Sequence, residues 1–274
     1  MNNITLGQYY PAKSLIHSLD ARVKVILAIA YIVCSFLCKN LISYAVLLVS
    51  SIVLILVSRI PLKMIFRSLK PILFILLFTV IINMFWTEGE HLLVDWWIIK
   101  IYYEGIMNAI FIGIRIIVLI VGTSIFMTYT TTPIELTDAL ESLLSPLKLL
   151  HAPVHEFAMM ITIALRFIPI LSEETNKIMS AQKARGADFT NGSLIKRAKA
   201  LIPILVPLFV SSFRRADELA TAMECRCYHG GEGRTRLNVP HCRVRDFVML
   251  GIIIIFGAAL IFINTYSVVG YTLM

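Results

Sequence analysis

Ser180-Ala181-Gln182-Lys183-Ala184-Arg185-Gly186 and Ala222-Met223-Glu224-Cys225-Arg226-Cys227-Tyr228 are two versions of one phrase. Each is a helical run that ends on a small residue, an arginine and another small residue. They lie about forty positions apart in a chain that is otherwise mostly apolar. The second runs on into His229-Gly230-Gly231-Glu232-Gly233-Arg234-Thr235-Arg236-Leu237, again polar. The expected architecture is a set of apolar helices that holds a polar unit against one membrane face.

Each phrase has a physical logic. Glycine is favoured just past a helix end, where the backbone turns left-handed. An arginine in the last turn faces the negative end of the helix dipole. Its guanidinium can fork onto a carboxylate or a backbone carbonyl. A single copy is an ordinary helix end that carries an arginine. Two copies on two long amphipathic helices form a more specific pattern.

Composition places the rest of the chain in a membrane. It has 274 residues, 58% hydrophobic and 15% charged, with a mean hydropathy of +0.81. Soluble domains have about 45–50% apolar and about 25% charged residues. The net charge of +8 fits Lys and Arg on cytoplasmic loops. No basic run interleaved with aromatics points to nucleic acid. Cys34, Cys38, Cys225, Cys227 and Cys242 are odd in number and show no paired spacing, against a disulfide framework. Cys34 and Cys38 lie in an apolar run, where cysteine acts as a small hydrophobe. Neither Cys225-x-Cys227 nor His241-Cys242 matches a zinc template, so no metal is expected. The start carries no evident cleavable signal, and the first apolar run reads as a retained span.

Five spans are expected: Val23 to Cys38, Leu41 to Val57, Pro71 to Trp86, Gly105 to Met127 and Phe247 to Thr265. Each is near the roughly 20 residues that a membrane helix needs. Asp20 reads as the cap of the first. Pro61 opens a short amphipathic linker with Arg59, Lys63, Arg67 and Lys70 and no acid, hence cytoplasmic. The next loop holds Glu88, Glu90, His91, Asp95 and Glu104, rimmed by Trp86, Trp96, Trp97, Tyr102 and Tyr103. It reads as external, with the aromatics as an interfacial belt. The N-terminus then lies inside and the uncharged tail after Tyr266 outside. Arg115, in the fourth span, should face protein or water, or snorkel.

Between the fourth and fifth spans the chain changes character. Thr132, Pro133 and Glu135 spell a capping box for a helix over Ile134 to Leu150. Pro153 opens the next helix. Its apolar part, Phe157 to Leu171, includes Leu165 and Pro169 and is too short to span comfortably. Asp188 and Asn191-Gly192 make a turn. A third helix runs from Leu194 to about Arg226, with Pro203 and Pro207 in its apolar middle, Leu201 to Phe213. Two prolines four apart should kink or interrupt it. The fold class is therefore an all-α integral membrane protein with about five transmembrane helices plus three long amphipathic cytoplasmic helices. Residues 1–128 form the N-terminal membrane part, 129–244 the polar domain, and 245–274 the last span and external tail.

Chemistry is sparse. Gly230-Gly231-Glu232-Gly233 lacks the Gly-Lys-Ser/Thr ending of a phosphate loop. Ser, His and Glu are scattered, with no catalytic arrangement, so neither enzyme activity nor a bound cofactor is expected. A self-contained metal-ion or small-solute permease is the alternative, but it needs ionisable residues along its spans. Only Arg115 and a few Ser, Thr and Asn are there.

A family resemblance covers nearly the whole chain. It rests on Gly7-Gln8-Tyr9-Tyr10-Pro11, Ser14, His17-Ser18-Leu19-Asp20, Arg22-Val23-Lys24 and Arg166-Phe167-Ile168-Pro169, then on the two arginine phrases and the Gly-rich loop. These residues resemble the transmembrane coupling subunit, or T component, of energy-coupling factor (ECF) transporters, which is related to the cobalt-transport permease. The resemblance implies a multi-pass plasma-membrane protein whose amphipathic helices are coupling helices. Its two signatures would bind grooves on two ATP-binding-cassette ATPase subunits, which hold the ATP and magnesium. Carried over, that contact falls to Ala184, Arg185, Gly186, Glu224, Cys225, Arg226 and Cys227. Cys225 and Cys227 replace the family's usual Ala and Gly. The loss of Gly disfavours a left-handed cap, so the second helix is expected to run on through Tyr228. The resemblance also implies a second partner, a small substrate-binding membrane subunit (S component). Phe157, Leu165, Pro169, Pro203, Pro207 and Phe213 would dock it. The cargo would be a vitamin or a metal ion.

Overall fold

Asp20 starts the first helix as expected. Its carboxylate accepts the Arg22 N–H at 2.9 Å, and α1 runs Ala21–Leu37. The computed structural model describes residues 9–87, 92–96, 99–150, 152–187, 189, 193–230 and 242–266. The expected turn at Asp188 and Asn191-Gly192, most of the Gly-rich loop, the tail after Tyr266, Gly7-Gln8, Glu88, Glu90, His91, Trp97 and His241 lie outside the described residues.

After α1 come α2 (Leu41–Ser58), the amphipathic linker α3 (Leu62–Leu69) and α4 (Leu73–Trp86). The loop expected to be external contains a short antiparallel hairpin, β1 (Leu92–Trp96) and β2 (Ile99–Tyr102), with Asp95 opposite Lys100. Its branched and aromatic residues favour extended backbone. Then follow α5 (Tyr103–Thr123), continued by a π-helical segment to Tyr129, and α6 (Pro133–Leu143), continued by a 3₁₀ segment over Ser145–Leu150. The chain closes with α7 (Val154–Ala184), α8 (Leu194–Glu224) and α9 (Val244–Tyr266). Beside these helices the hairpin is minor, and the protein is an all-α membrane protein.

Among the described residues, five stretches are long and apolar enough to cross a membrane: Leu41–Ser58, Leu62–Trp86, Tyr103–Tyr129, Val154–Ala184 and Val244–Tyr266. Four coincide with expected spans. α1 is not among them, but its 17 residues, a rise of about 25 Å, stand at the short end of the range for a span. α7 is the stretch not expected to span: Phe157 to Leu171 lies within one unbroken 31-residue helix. By length and composition α7 therefore qualifies as a span.

The described residues fall into two units, one of residues 9–139 with 242–266 and one of residues 140–230. The core of the first gathers Leu27 and Tyr31 from α1, Tyr44 and Leu47 from α2, Phe111 and Val118 from α5, and Leu260 from α9. Where α1 meets α5, a Cβ on Gly122 would stand 2.2 Å from the Tyr31 ring. Tyr31 is locked edge-on to Phe126, ring centres 6.3 Å apart. Gly122→Val should therefore push α1 off α5 and destabilise the fold by roughly 3 kcal/mol, at the upper end of overpacking. Thermal unfolding in detergent measures this as a lowered midpoint.

Arg115 faces protein, one of the expected outcomes. Its guanidinium donates to the Cys38 carbonyl at 3.3 Å and to the Tyr44 hydroxyl. It also lies over the Phe36 and Tyr44 rings, 5.8 and 5.5 Å from their centres. Nearby, Asn264 of α9 accepts from the Ser43 hydroxyl at 2.8 Å and donates to the Leu37 carbonyl. This ties α9 to the turn between α1 and α2.

A polar knot secures the segment before α1. Lys24 is 2% exposed and donates to the Thr130 carbonyl at 2.7 Å and the His17 carbonyl at 3.3 Å. Asp246, also 2% exposed, accepts the Asp20 N–H at 3.0 Å and the Arg243 N–H at 2.6 Å. The His17 ring donates from Nε2 to the Tyr10 carbonyl at 2.9 Å, and Nδ1 pairs with the Ser14 hydroxyl at 2.7 Å. Burial pushes the His17 pKa down, so the ring is neutral and Nδ1 accepts from Ser14. Buried charges persist only when paired and hydrogen-bonded, and two of these contacts, Lys24 to Thr130 and Asp20 to Asp246, bridge segments distant in sequence.

Candidate functional site: two arginine-capped helix ends

The capping box at α6 forms as read from the sequence. Glu135 N–H donates to Thr132 Oγ1 at 3.3 Å, and Thr132 N–H to Glu135 Oε2 at 3.1 Å. Glu141 then meets His155 at 3.0 Å, joining α6 to the start of α7. α7 packs on α8. Glu174 of α7 accepts from the Ser211 hydroxyl at 2.6 Å and from Arg215 at 2.8 Å, both on α8. Glu174 is thus an intramolecular partner that ties α7 to α8.

The end of α7 is a Schellman cap, in which two backbone bonds close backward around a left-handed residue. Gly186 N–H donates to the Lys183 carbonyl at 2.9 Å, and Ala187 N–H to the Gln182 carbonyl at 3.0 Å. Gly186 has φ +85°, with nothing within 4 Å of a would-be Cβ. Its backbone conformation, rather than the space around it, calls for glycine. Arg185 is the residue between the helix and this turn, and its side chain is exposed.

The end of α8 overturns the expectation drawn from its sequence. The helix does not run on through Tyr228; it stops at Glu224. Cys227 N–H donates to the Glu224 carbonyl at 2.9 Å, and Tyr228 N–H to the Met223 carbonyl at 3.1 Å. Cys227 takes the left-handed conformation, φ 56°. Bond for bond, this is the cap that ends α7, with Arg226 in the place of Arg185. The two backbone bonds hold a conformation that costs a non-glycine residue about 1–2 kcal/mol. Cys227→Gly should therefore raise stability by about 1 kcal/mol, and Cys227→Val should lower it. Melting temperatures of the purified chain check both.

The interruption expected at Pro203 and Pro207 does not occur, and Pro169 does not break α7 either. Both helices are continuous through them. Each proline removes one donor and leaves the carbonyl four residues earlier without its helical bond, but the 31-residue helices carry on. Pro169, Pro203, Pro207, Phe157 and Phe213 are exposed and Leu165 is half-buried. Phe213 stacks on Phe209, ring centres 6.3 Å apart. Ala184, Glu224, Cys225 and Cys227 are exposed beside the two arginines, and both cysteines are free. Among the described residues, neither Arg185 nor Arg226 forms an ion pair. Nor does any group of three His, Cys, Asp or Glu side chains there stand close enough to hold a metal ion.

The long apolar helices define a multi-pass membrane protein. The family described as CbiQ, cobalt transport protein, matches residues 12–237, and the chain belongs to it. It is 50% identical to the energy-coupling factor transporter transmembrane protein EcfT of Ruminiclostridium cellulolyticum, over 93% of this chain and 95% of that one. The proteins of the same name from Clostridium kluyveri and Bacillus subtilis are 51% and 44% identical. They cover 90% and 96% of this chain and 92% and 99% of their own. The chain is thus the transmembrane component of an ECF transporter, and a self-contained permease is not favoured.

Proposed function

We propose that the two capped helix ends are the contacts through which this chain is driven. Arg185, with Ala184 and Gly186, enters a groove on one ATP-binding-cassette ATPase. Arg226, with Glu224, Cys225 and Cys227, enters the other. The observation that carries this reading is the equivalence of the two caps. One backbone scaffold, built twice, presents one exposed guanidinium each time, as two homologous grooves would require. Nucleotide and magnesium sit on the ATPases, and this chain binds no cofactor. Residues 129–244 act as the coupling domain between the membrane parts 1–128 and 245–274. With α7 lying against the membrane rather than crossing it, the N-terminus and the capped ends of the coupling helices lie on the cytoplasmic side and the C-terminus outside, as the basic residues of the α3 linker and of Arg243 and Arg245 direct.

The same reading gives the apolar faces of α7 and α8 a partner, a small membrane subunit that binds a vitamin or metal ion. Phe157, Leu165, Pro169, Pro203, Pro207 and Phe213 dock it. When the ATPases close, α7 and α8 move together, held by Glu174 with Ser211 and Arg215. Differential contact with the docked subunit then shifts its equilibrium between orientations.

Proteoliposomes test the proposal. The purified chain alone should neither bind nor transport solute. Addition of the two ATPases and a substrate-binding subunit should produce uptake that depends on ATP. Uptake by the chain alone would overturn it in favour of a permease.

A further inference from the structure

A cleft of about 810 Å³ opens within the larger unit. Its walls are the segment before α1, the end of α2 and the start of α9. Three cations line it, Lys13, Arg59 and Arg245, and no carboxylate does. Asp246, next to Arg245, is turned inward and spent on the backbone of Asp20 and Arg243. Among the described residues, none of the three cations forms an ion pair. Arg59 is set by the left-handed turn that ends α2, φ 55°, with its N–H on the Leu56 carbonyl. Two apolar side chains of the lining project beside the cations: Leu15 is 62% exposed and Leu56 70%.

We propose that this cleft binds the headgroup of an anionic phospholipid. The phosphate sits among Lys13, Arg59 and Arg245, and the upper acyl chains lie along Leu15 and Leu56. Cations clustered without acids call for an anion. The apolar lip and the position at the ends of two apolar helices select a lipid phosphate over a free one. Juxtamembrane basic residues attract anionic lipids of the cytoplasmic leaflet. The assignment to that leaflet rests on the orientation proposed above; the site itself does not.

The test is native mass spectrometry of the full chain in detergent, titrated with dioleoyl-phosphatidylglycerol, dioleoyl-phosphatidylcholine or free glycerol 3-phosphate. The native chain should bind phosphatidylglycerol at least tenfold more tightly than phosphatidylcholine. A triple variant, Lys13→Gln with Arg59→Gln and Arg245→Gln, should lose that preference. Lys13→Gln alone, outside any helix, should reduce it by about threefold even where the triple variant folds poorly. A control of Lys63→Gln, Arg67→Gln and Lys70→Gln should keep it. Equal binding of the two lipids, or equal loss in the control, would overturn the proposal. Displacement of the lipid by equimolar glycerol 3-phosphate would overturn the lipid assignment in favour of a free phosphate. Orientation is read separately, with Cys225, Cys227 and Cys242 changed to Ser. Ala12→Cys in that background should resist a membrane-impermeant maleimide in intact cells. Labelling there would place the cleft in the outer leaflet and refute the orientation, while lipid binding would still report on the site.

Discussion

Arg185→Glu combined with Arg226→Glu is expected to abolish retention of both ATPase subunits when the membrane complex is captured on its transmembrane chain. Removing one partner of a buried, hydrogen-bonded interfacial charge pair costs about 2–5 kcal/mol. At about 1.4 kcal/mol per tenfold, a loss of about 3 kcal/mol weakens binding roughly a hundredfold at each arginine. Two such losses on separate helix ends should add. Each single variant should therefore retain a fraction of the ATPase and the double variant none. The fold should survive, because both caps are closed by backbone bonds, from Gly186 and Ala187 at one end and Cys227 and Tyr228 at the other. Unchanged retention in the double variant would reduce the two arginines to ordinary helix ends.

Phe157→Glu with Phe213→Glu is expected to abolish uptake while leaving the ATPases bound. These are the most exposed aromatics of the proposed docking residues, at 61% and 67%. Exposed aromatics of this size are typical anchors of an interface, and loss of one such anchor costs about 2 kcal/mol or more, roughly thirtyfold. A carboxylate pressed into an apolar interface adds its desolvation cost. Capture of the complex should then recover ATPases without the substrate-binding subunit. If ATPases and substrate-binding subunit were lost together, the two faces would belong to one contact and the division of labour would be wrong.

Local signals in the sequence translated well. Asp20, the Thr132–Glu135 box and the Pro61 linker each depend on a few neighbouring residues, and each forms as read. So did the cap at Gly186, because glycine there announces its own backbone conformation. The cap at Cys227 was not legible for the same reason. Its left-handed residue is held by bonds from Cys227 and Tyr228 to the preceding turn, and residue type gave no hint of them. The prolines misled only as helix breakers. Each removes one helical bond, while the rest of a long helix persists around it. Nothing local marked Lys24 and Asp246 as buried, since their partners Thr130 and Asp20 lie 106 and 226 positions away. The hairpin at Leu92–Tyr102 was hidden by the acidic residues around it, which read as a plain loop. α7 read as too short to span because the polar residues after Leu171 end its apolar part, while the helix itself continues to Ala184.

The most direct test places a photoreactive amino acid at position 185, 226 or 157 of the intact complex and identifies what each one captures. Positions 185 and 226 should each form an adduct with an ATPase subunit, and position 157 with the substrate-binding subunit. An intact complex in which 185 and 226 capture no ATPase while 157 does would contradict the assignment of the two capped helix ends.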